Sequence, residues 1–126
     1  MNLEYFPNGL GNGSLVLIYG IDPIAVSSLK EHLVALTTKR IKRFAVHELP
    51  GFLAVDECRL FCSIAQRDRG VVLLEPPNTF ECRLQPSSWD NIEGLLEPFT
   101  EKDPIHGFQW LDRGNIALMI SVRREW

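Results

Sequence analysis

A chain of 126 residues, 45% apolar and 23% charged, has the composition of one globular domain. Its net charge of −3 argues against nucleic-acid binding by the surface as a whole, and no apolar run approaches the roughly 18 residues a membrane span needs. Three cysteines, Cys58, Cys62 and Cys82, cannot all pair with one another, and Met1-Asn2-Leu3-Glu4-Tyr5 has no secretion leader, so the expectation is free thiols in a reducing cytoplasm.

Residues 1–14, with Pro7-Asn8-Gly9, Gly11 and Gly13, read as a turn-rich, partly mobile entry segment. Leu15-Val16-Leu17-Ile18-Tyr19 is a continuous apolar run that suits a buried strand. Asp22-Pro23 then opens a helix, with Asp22 as N-cap and proline at the first helical position. Val26, Leu29, Leu33 and Leu36 recur at helical spacing, and Thr37-Thr38 closes the segment. After the basic run Lys39-Arg40-Ile41-Lys42-Arg43, residues 44–49 alternate as a second strand that Pro50-Gly51 stops. Residues 52–57 read equally as loop or short helical turn. Leu60, Cys62 and Ile64 alternate with Phe61, Ser63 and Ala65 in a third strand. Arg67-Asp68-Arg69-Gly70 reads as a hairpin turn into a fourth strand at Val71-Val72-Leu73-Leu74. Phe80, Cys82 and Leu84 alternate with Glu81, Arg83 and Gln85 in a half-exposed fifth.

Residues 85–101 read as an amphipathic helix with Ser87 or Ser88 as N-cap. At about 100° per residue, Trp89, Ile92, Leu95, Leu96 and Phe99 share one face, and Asp90, Glu93, Glu97 and Glu101 the other. Pro98 is expected to kink or end this helix, which leaves Glu101 furthest from regular geometry. Lys102-Asp103-Pro104 is a loop and His106 lies in it. Asp112-Arg113-Gly114-Asn115 is a second hairpin turn, leading into a nearly all-apolar strand, Ile116 to Val122, expected to be central and covered on both faces. The predicted fold is a single α+β domain: a mostly antiparallel mixed sheet of about six or seven strands, with two amphipathic helices packed on it in the order β-α-β-β-β-β-α-β-β. Each half carries an Asp-Arg-Gly turn.

The candidate chemistry is sparse. Cys62 and Cys82 fall on apolar faces, where cysteine behaves as a small hydrophobe, and no CxxC pair or His cluster completes a metal set. His32, His47 and His106 are scattered, and no local Ser or Cys stands with an oriented base. No catalytic residue, metal site or cofactor is assigned. The basic run after the first helix suits a solvated loop at a helix C-terminus. The sharpest feature is the acidic ridge of Asp90, Glu93, Glu97 and Glu101. Glu93/Glu97 and Glu97/Glu101 are like-charge pairs at i,i+4, which destabilise a helix unless something else uses the charge.

In size and acidic-helix pattern the chain resembles the immunity proteins that neutralise bacterial toxins. Leu111-Asp112-Arg113-Gly114-Asn115-Ile116, together with the repeated strand–helix–strands order, is similar to the paired modules of the vicinal-oxygen-chelate superfamily. That family carries His and Glu metal ligands on strands, and neither Leu15–Tyr19 nor Ile116–Val122 contains one. The expectation is therefore a non-enzymatic protein-binding module of immunity or inhibitor type, presenting Trp89, Asp90, Glu93, Glu97 and Glu101 to a cationic protein partner. The alternative is a small-molecule-binding domain or enzyme with His47, Cys62 and Trp110 around its site. A homodimer through a sheet edge is a further option, and neither membrane nor nucleic acid is an expected partner.

Overall fold

The apolar run at residues 15–19 becomes a strand in the computed structural model, which describes residues 1–11, 13–102 and 107–125. The described residues form one α+β domain of nine strands and two α-helices. In chain order these are β1 (Asn2–Leu10), β2 (Gly13–Tyr19), α1 (Pro23–Thr37), β3 (Arg43–Ala45), β4 (Leu53–Ala54), β5 (Arg59–Ile64), β6 (Gly70–Glu75), β7 (Thr79–Leu84), α2 (Pro86–Leu95), β8 (Phe108–Arg113) and β9 (Ile116–Ser121). Short 3₁₀ turns follow β3, β4 and α2.

The strands make two mixed sheets rather than one, in the orders β4-β1-β2-β9-β8 and β3-β5-β7-β6. The total therefore exceeds the six or seven strands read from the pattern. The extra strands come from segments that local signals conceal. Residues 2–10, expected as a turn-rich entry, pair antiparallel with β2, with Leu3 opposite Ile18 and Tyr5 opposite Val16. Tertiary burial of Leu3 outweighs the turn propensity of the nearby glycines. Leu53-Ala54, left undecided by sequence, adds two residues parallel to β1.

The Arg67–Gly70 hairpin does not form. β7 lies between β5 and β6, parallel to the first and antiparallel to the second. The segment is thus a connection that skips one strand position. Gly70 adopts φ +73°, and a Cβ there would lie 2.9 Å from Asp112 Oδ2. The other Asp-Arg-Gly segment does turn β8 into β9 as expected. The second strand ends early: β3 stops at Ala45, and Val46–Glu48 wind into a 3₁₀ turn.

The Ile116–Ser121 strand is central, parallel to β2 and antiparallel to β8. Both its faces are covered. Leu118 and Ile120 join Leu3, Val16, Ile18, the inward stripes of both helices, and Leu60, Cys62, Phe80, Cys82 and Leu84 of the second sheet in one core. Ala117 and Met119 point the other way, into a smaller cluster with Leu15 and Leu17 under Phe6, Tyr19 and Trp110.

Helix α1 starts as its sequence dictates. The Asp22 carboxylate accepts from Ala25 N–H at 3.1 Å, and Pro23 occupies the first turn. Gly51, at φ +87°, lets the following turn lie on the helix start, where a Cβ would meet Ala25 Cβ at 3.0 Å.

Helix α2 is capped from outside its own segment. Gln85 is the N-cap residue and makes no side-chain cap bond. Instead Asp68 Oδ1 accepts from Gln85 N–H at 2.9 Å, and its Oδ2 accepts from Ser88 Oγ at 2.7 Å. These bonds, the backbone one foremost, hold the Asp68 carboxyl below its ordinary pKa. The expected Ser87 or Ser88 cap is therefore supplied by a carboxylate of the β5–β6 connection. Asp68→Ala should cost about 1 kcal/mol, typical of a lost N-terminal cap, seen as a lower urea midpoint with unchanged slope.

Candidate partner-binding face

The dry side of α2 is the one its periodicity marks. Trp89, Ile92, Leu96 and Phe99 are buried, while Leu95 is only half covered. Trp89 is 1% exposed, and its Nε1–H donates to the Ser63 carbonyl at 2.9 Å. Its expected place in a partner contact is therefore corrected: the indole anchors the helix inside the protein and is not presented to a partner.

The wet side is less regular than a continuous helix would make it. α2 ends at Leu95, Glu97–Thr100 form a 3₁₀ turn around Pro98, and Glu101 follows in extended backbone. Asp90, Glu97 and Glu101 are exposed and Glu93 is half buried. The like-charge repulsion along this side is relieved by α1. Lys30 Nζ lies 2.9 Å from Glu93 Oε2 and also bridges to Glu97. Burial acts to lower the Lys30 pKa, but the hydrogen bonds it donates to Glu97 and Glu93 outweigh it, and the ammonium titrates above its ordinary value. Two of the four ridge carboxylates are thus tied down by the chain itself.

What remains is a broader face than the ridge. α1 turns Ile24, Ser27, Glu31 and Val34 to solvent, with Ile24 83% and Val34 42% exposed. A groove of about 300 Å³ runs between the helices, lined by Ser27, Lys30, Glu31 and Val34 on one side and Glu93, Glu97 and Thr100 on the other. α1 and α2 together carry one Lys or Arg, Lys30, against Glu31, Asp90 and Glu93, and Glu97 follows in the next turn. Glu31 belongs to this face, although sequence reading passed it over. The signal was there: Glu31 lies seven residues after Ile24, on the stripe opposite Val26, Leu29 and Leu33.

His47, Cys62 and Trp110 do not converge. Trp110 lies on the outward face of the five-stranded sheet, where Arg113 stacks 4.7 Å from its ring centre. Cys62 is 2% exposed on the inward face of the other sheet, in register with Cys82. Burial pushes all three thiols up, Cys58 to about 12. The space among Ile18, Leu33, Cys62, Trp89 and Leu118 is about 10 Å³, no more than one water needs.

His47 sits beside Phe61, ring centres 5.1 Å apart, and its Nδ1 accepts from Leu60 N–H at 3.1 Å. His32 Nδ1 lies 2.7 Å from the Ser28 carbonyl on its own helix. His106 and Asp103-Pro104 lie outside the described residues. Among the described residues no cluster of three or more His, Cys, Asp or Glu could hold a metal ion, and no helix is long and apolar enough to cross a membrane. The chain matches no family model, no curated protein and no solved structure.

Two predictions follow from these side chains. Lys30→Met strands Glu93 and Glu97 one helical turn apart and should cost about 1 kcal/mol, discounted for the exposure of Glu97. The deficit should narrow in high salt when both proteins are unfolded in urea. Desolvation lowers the pKa of His47 from its ordinary 6.5, against a smaller opposing pull from Glu48 and with Arg59 adding to the fall. A histidine shifted this way adds stability that is complete above the unfolded value and is lost as pH falls below it. The wild-type urea midpoint should therefore drop as pH falls from about 7 towards 5, and less steeply in His47→Asn, whose amide oxygen can keep the Leu60 bond.

Proposed function

We propose that the protein is a non-enzymatic binding module that docks a protein partner with a basic surface on the joint face of α1 and α2, in the manner of an immunity or inhibitor protein. The observation that carries this reading is the charge of that face. One partly buried lysine stands against Glu31, Asp90, Glu93 and Glu97, with exposed Ile24 and Val34 beside them. Exposed carboxylates of one sign raise the encounter rate with a cationic partner and repel anionic ones, while the apolar side chains supply area to bury. Lys30 has a second role in this reading. It holds Glu93 and Glu97 in fixed positions, so less side-chain entropy is lost when a partner arrives.

The test is charge reversal where no pair among the described residues is broken. Glu31→Lys with Asp90→Lys leaves the Lys30 bridges intact and should leave the unfolding free energy in urea within about 0.5 kcal/mol of wild type. Partners captured from lysate by the wild type should be lost, or retained only at much lower salt. Capture of the same partners at the same salt by the double variant contradicts the reading.

A further inference from the structure

The basic run Lys39–Arg43 does not stand alone in space. Ile64 N–H donates to the Lys42 carbonyl at 3.4 Å, which brings the end of β5 against it. Arg69 N–H donates to the Arg83 carbonyl at 2.8 Å. Arg43, Ser63, Arg83 and Gly70 form one row across the four-stranded sheet, register partner to register partner. Cations from three separated stretches of sequence, Lys39, Arg40, Lys42, Arg43, Arg69 and Arg83, therefore gather at one end of that sheet.

The nearby carboxylates are Glu81, Asp68 and Asp112, the last lying against Gly70 and accepting from Gly114 N–H at 3.3 Å. Glu81, 7% exposed, takes both Arg43 and Arg83 on its two oxygens, and Arg43 also lies 3.8 Å over the Phe61 ring. Asp68 is committed to the start of α2. Glu81 thus fixes the two guanidiniums without covering them, their side chains remaining 48% and 41% exposed. At the same end of the sheet, but on the core-side face to which Ile64 points rather than the outer face of Arg43 and Arg83, is a groove of about 270 Å³ lined by Lys39, Ile41, Lys42 and Ile64.

We propose that this end is a second docking surface, distinct from the helical face, and that its occupant is an acidic polypeptide segment carrying apolar side chains among its carboxylates. Charge complementarity selects an anion, because six cations from three stretches of sequence outnumber the local acids Glu81, Asp68 and Asp112 two to one. The apolar lining of the groove selects a peptide over a nucleic-acid backbone, since phosphates leave Ile41 and Ile64 unused and, among the described residues, no row of exposed aromatic rings accompanies the cations to stack bases. Arg43 and Arg83, each oriented by Glu81, offer fixed guanidinium forks to carboxylates.

The test compares two fluorescein-labelled probes by anisotropy, a peptide of repeated Glu-Glu-Leu and a poly-dT oligonucleotide. The proteins are wild type and Lys42→Glu with Arg69→Glu, whose reversed side chains have no ion-pair partner among the described residues; a matching urea midpoint confirms that the variant folds. The proposal expects saturable peptide binding at about 50 mM NaCl that weakens tenfold or more in the variant, with the oligonucleotide binding more weakly than the peptide. Tighter binding of the oligonucleotide, no peptide binding by the wild type, or equal peptide binding by both proteins overturns it. Reversal at Glu31 and Asp90 should leave peptide affinity undiminished, which separates this surface from the helical one.

Discussion

Burial of Trp89 decides how the rest of the molecule faces water. The indole is enclosed by the core, and its one polar atom reaches the Ser63 carbonyl. A buried ring with a satisfied N–H allows the helix little freedom to roll about its axis. Once α2 is set in this way, Glu93 and Glu97 must point towards α1, where Lys30 meets them. Asp90, on the far side from the core, is left to solvent. The same hydrogen bond ties α2 to Ser63, whose neighbours across the sheet are Arg43 and Arg83. One contact therefore fixes the orientation of the acidic helical layer relative to the basic end of the four-stranded sheet.

The net charge of −3 hides this separation. Ion pairing across the molecule follows a common pattern in which a poorly exposed carboxylate orients an exposed arginine. Glu81 holds Arg43 and Arg83. Glu4, 8% exposed, accepts from Arg124 on both oxygens and from Tyr19 O–H, and the Arg124 hydrogen bond leads the forces that keep its pKa low. On the helical side the roles are reversed, with a poorly exposed lysine orienting glutamates. Each arrangement spends the inner charge and leaves the outer one positioned at the surface, where exposed partners contribute little to folding.

Much of the fold was legible in the sequence. The 15–19 run, the Asp22-Pro23 helix start, the alternation through Leu60, Cys62 and Ile64, and the doubly covered Ile116–Ser121 strand all express a burial pattern that is local in the chain. What could not be read depends on pairing between distant segments. β1 is a strand because β2 and β4 flank it. The Arg67–Gly70 segment is not a hairpin because β7 takes the place between β5 and β6. The N-terminal cap of α2 comes from Asp68, 17 residues before Gln85.

The candidate site divides along the same line. Helical periodicity identified Asp90, Glu93 and Glu97 as outward-facing, but it could not supply Lys30 from the other helix or add Glu31 beside them. It also counted Trp89 as a contact when its position on the apolar stripe already assigned it to the core. Hydrogen–deuterium exchange on the protein bound to its captured partner would test the central claim most directly. The account predicts slowed exchange over residues 24–34 and 90–101, with the outward faces of both sheets unchanged. Protection confined to the sheets, with the helical layer exchanging as in the free protein, would contradict it.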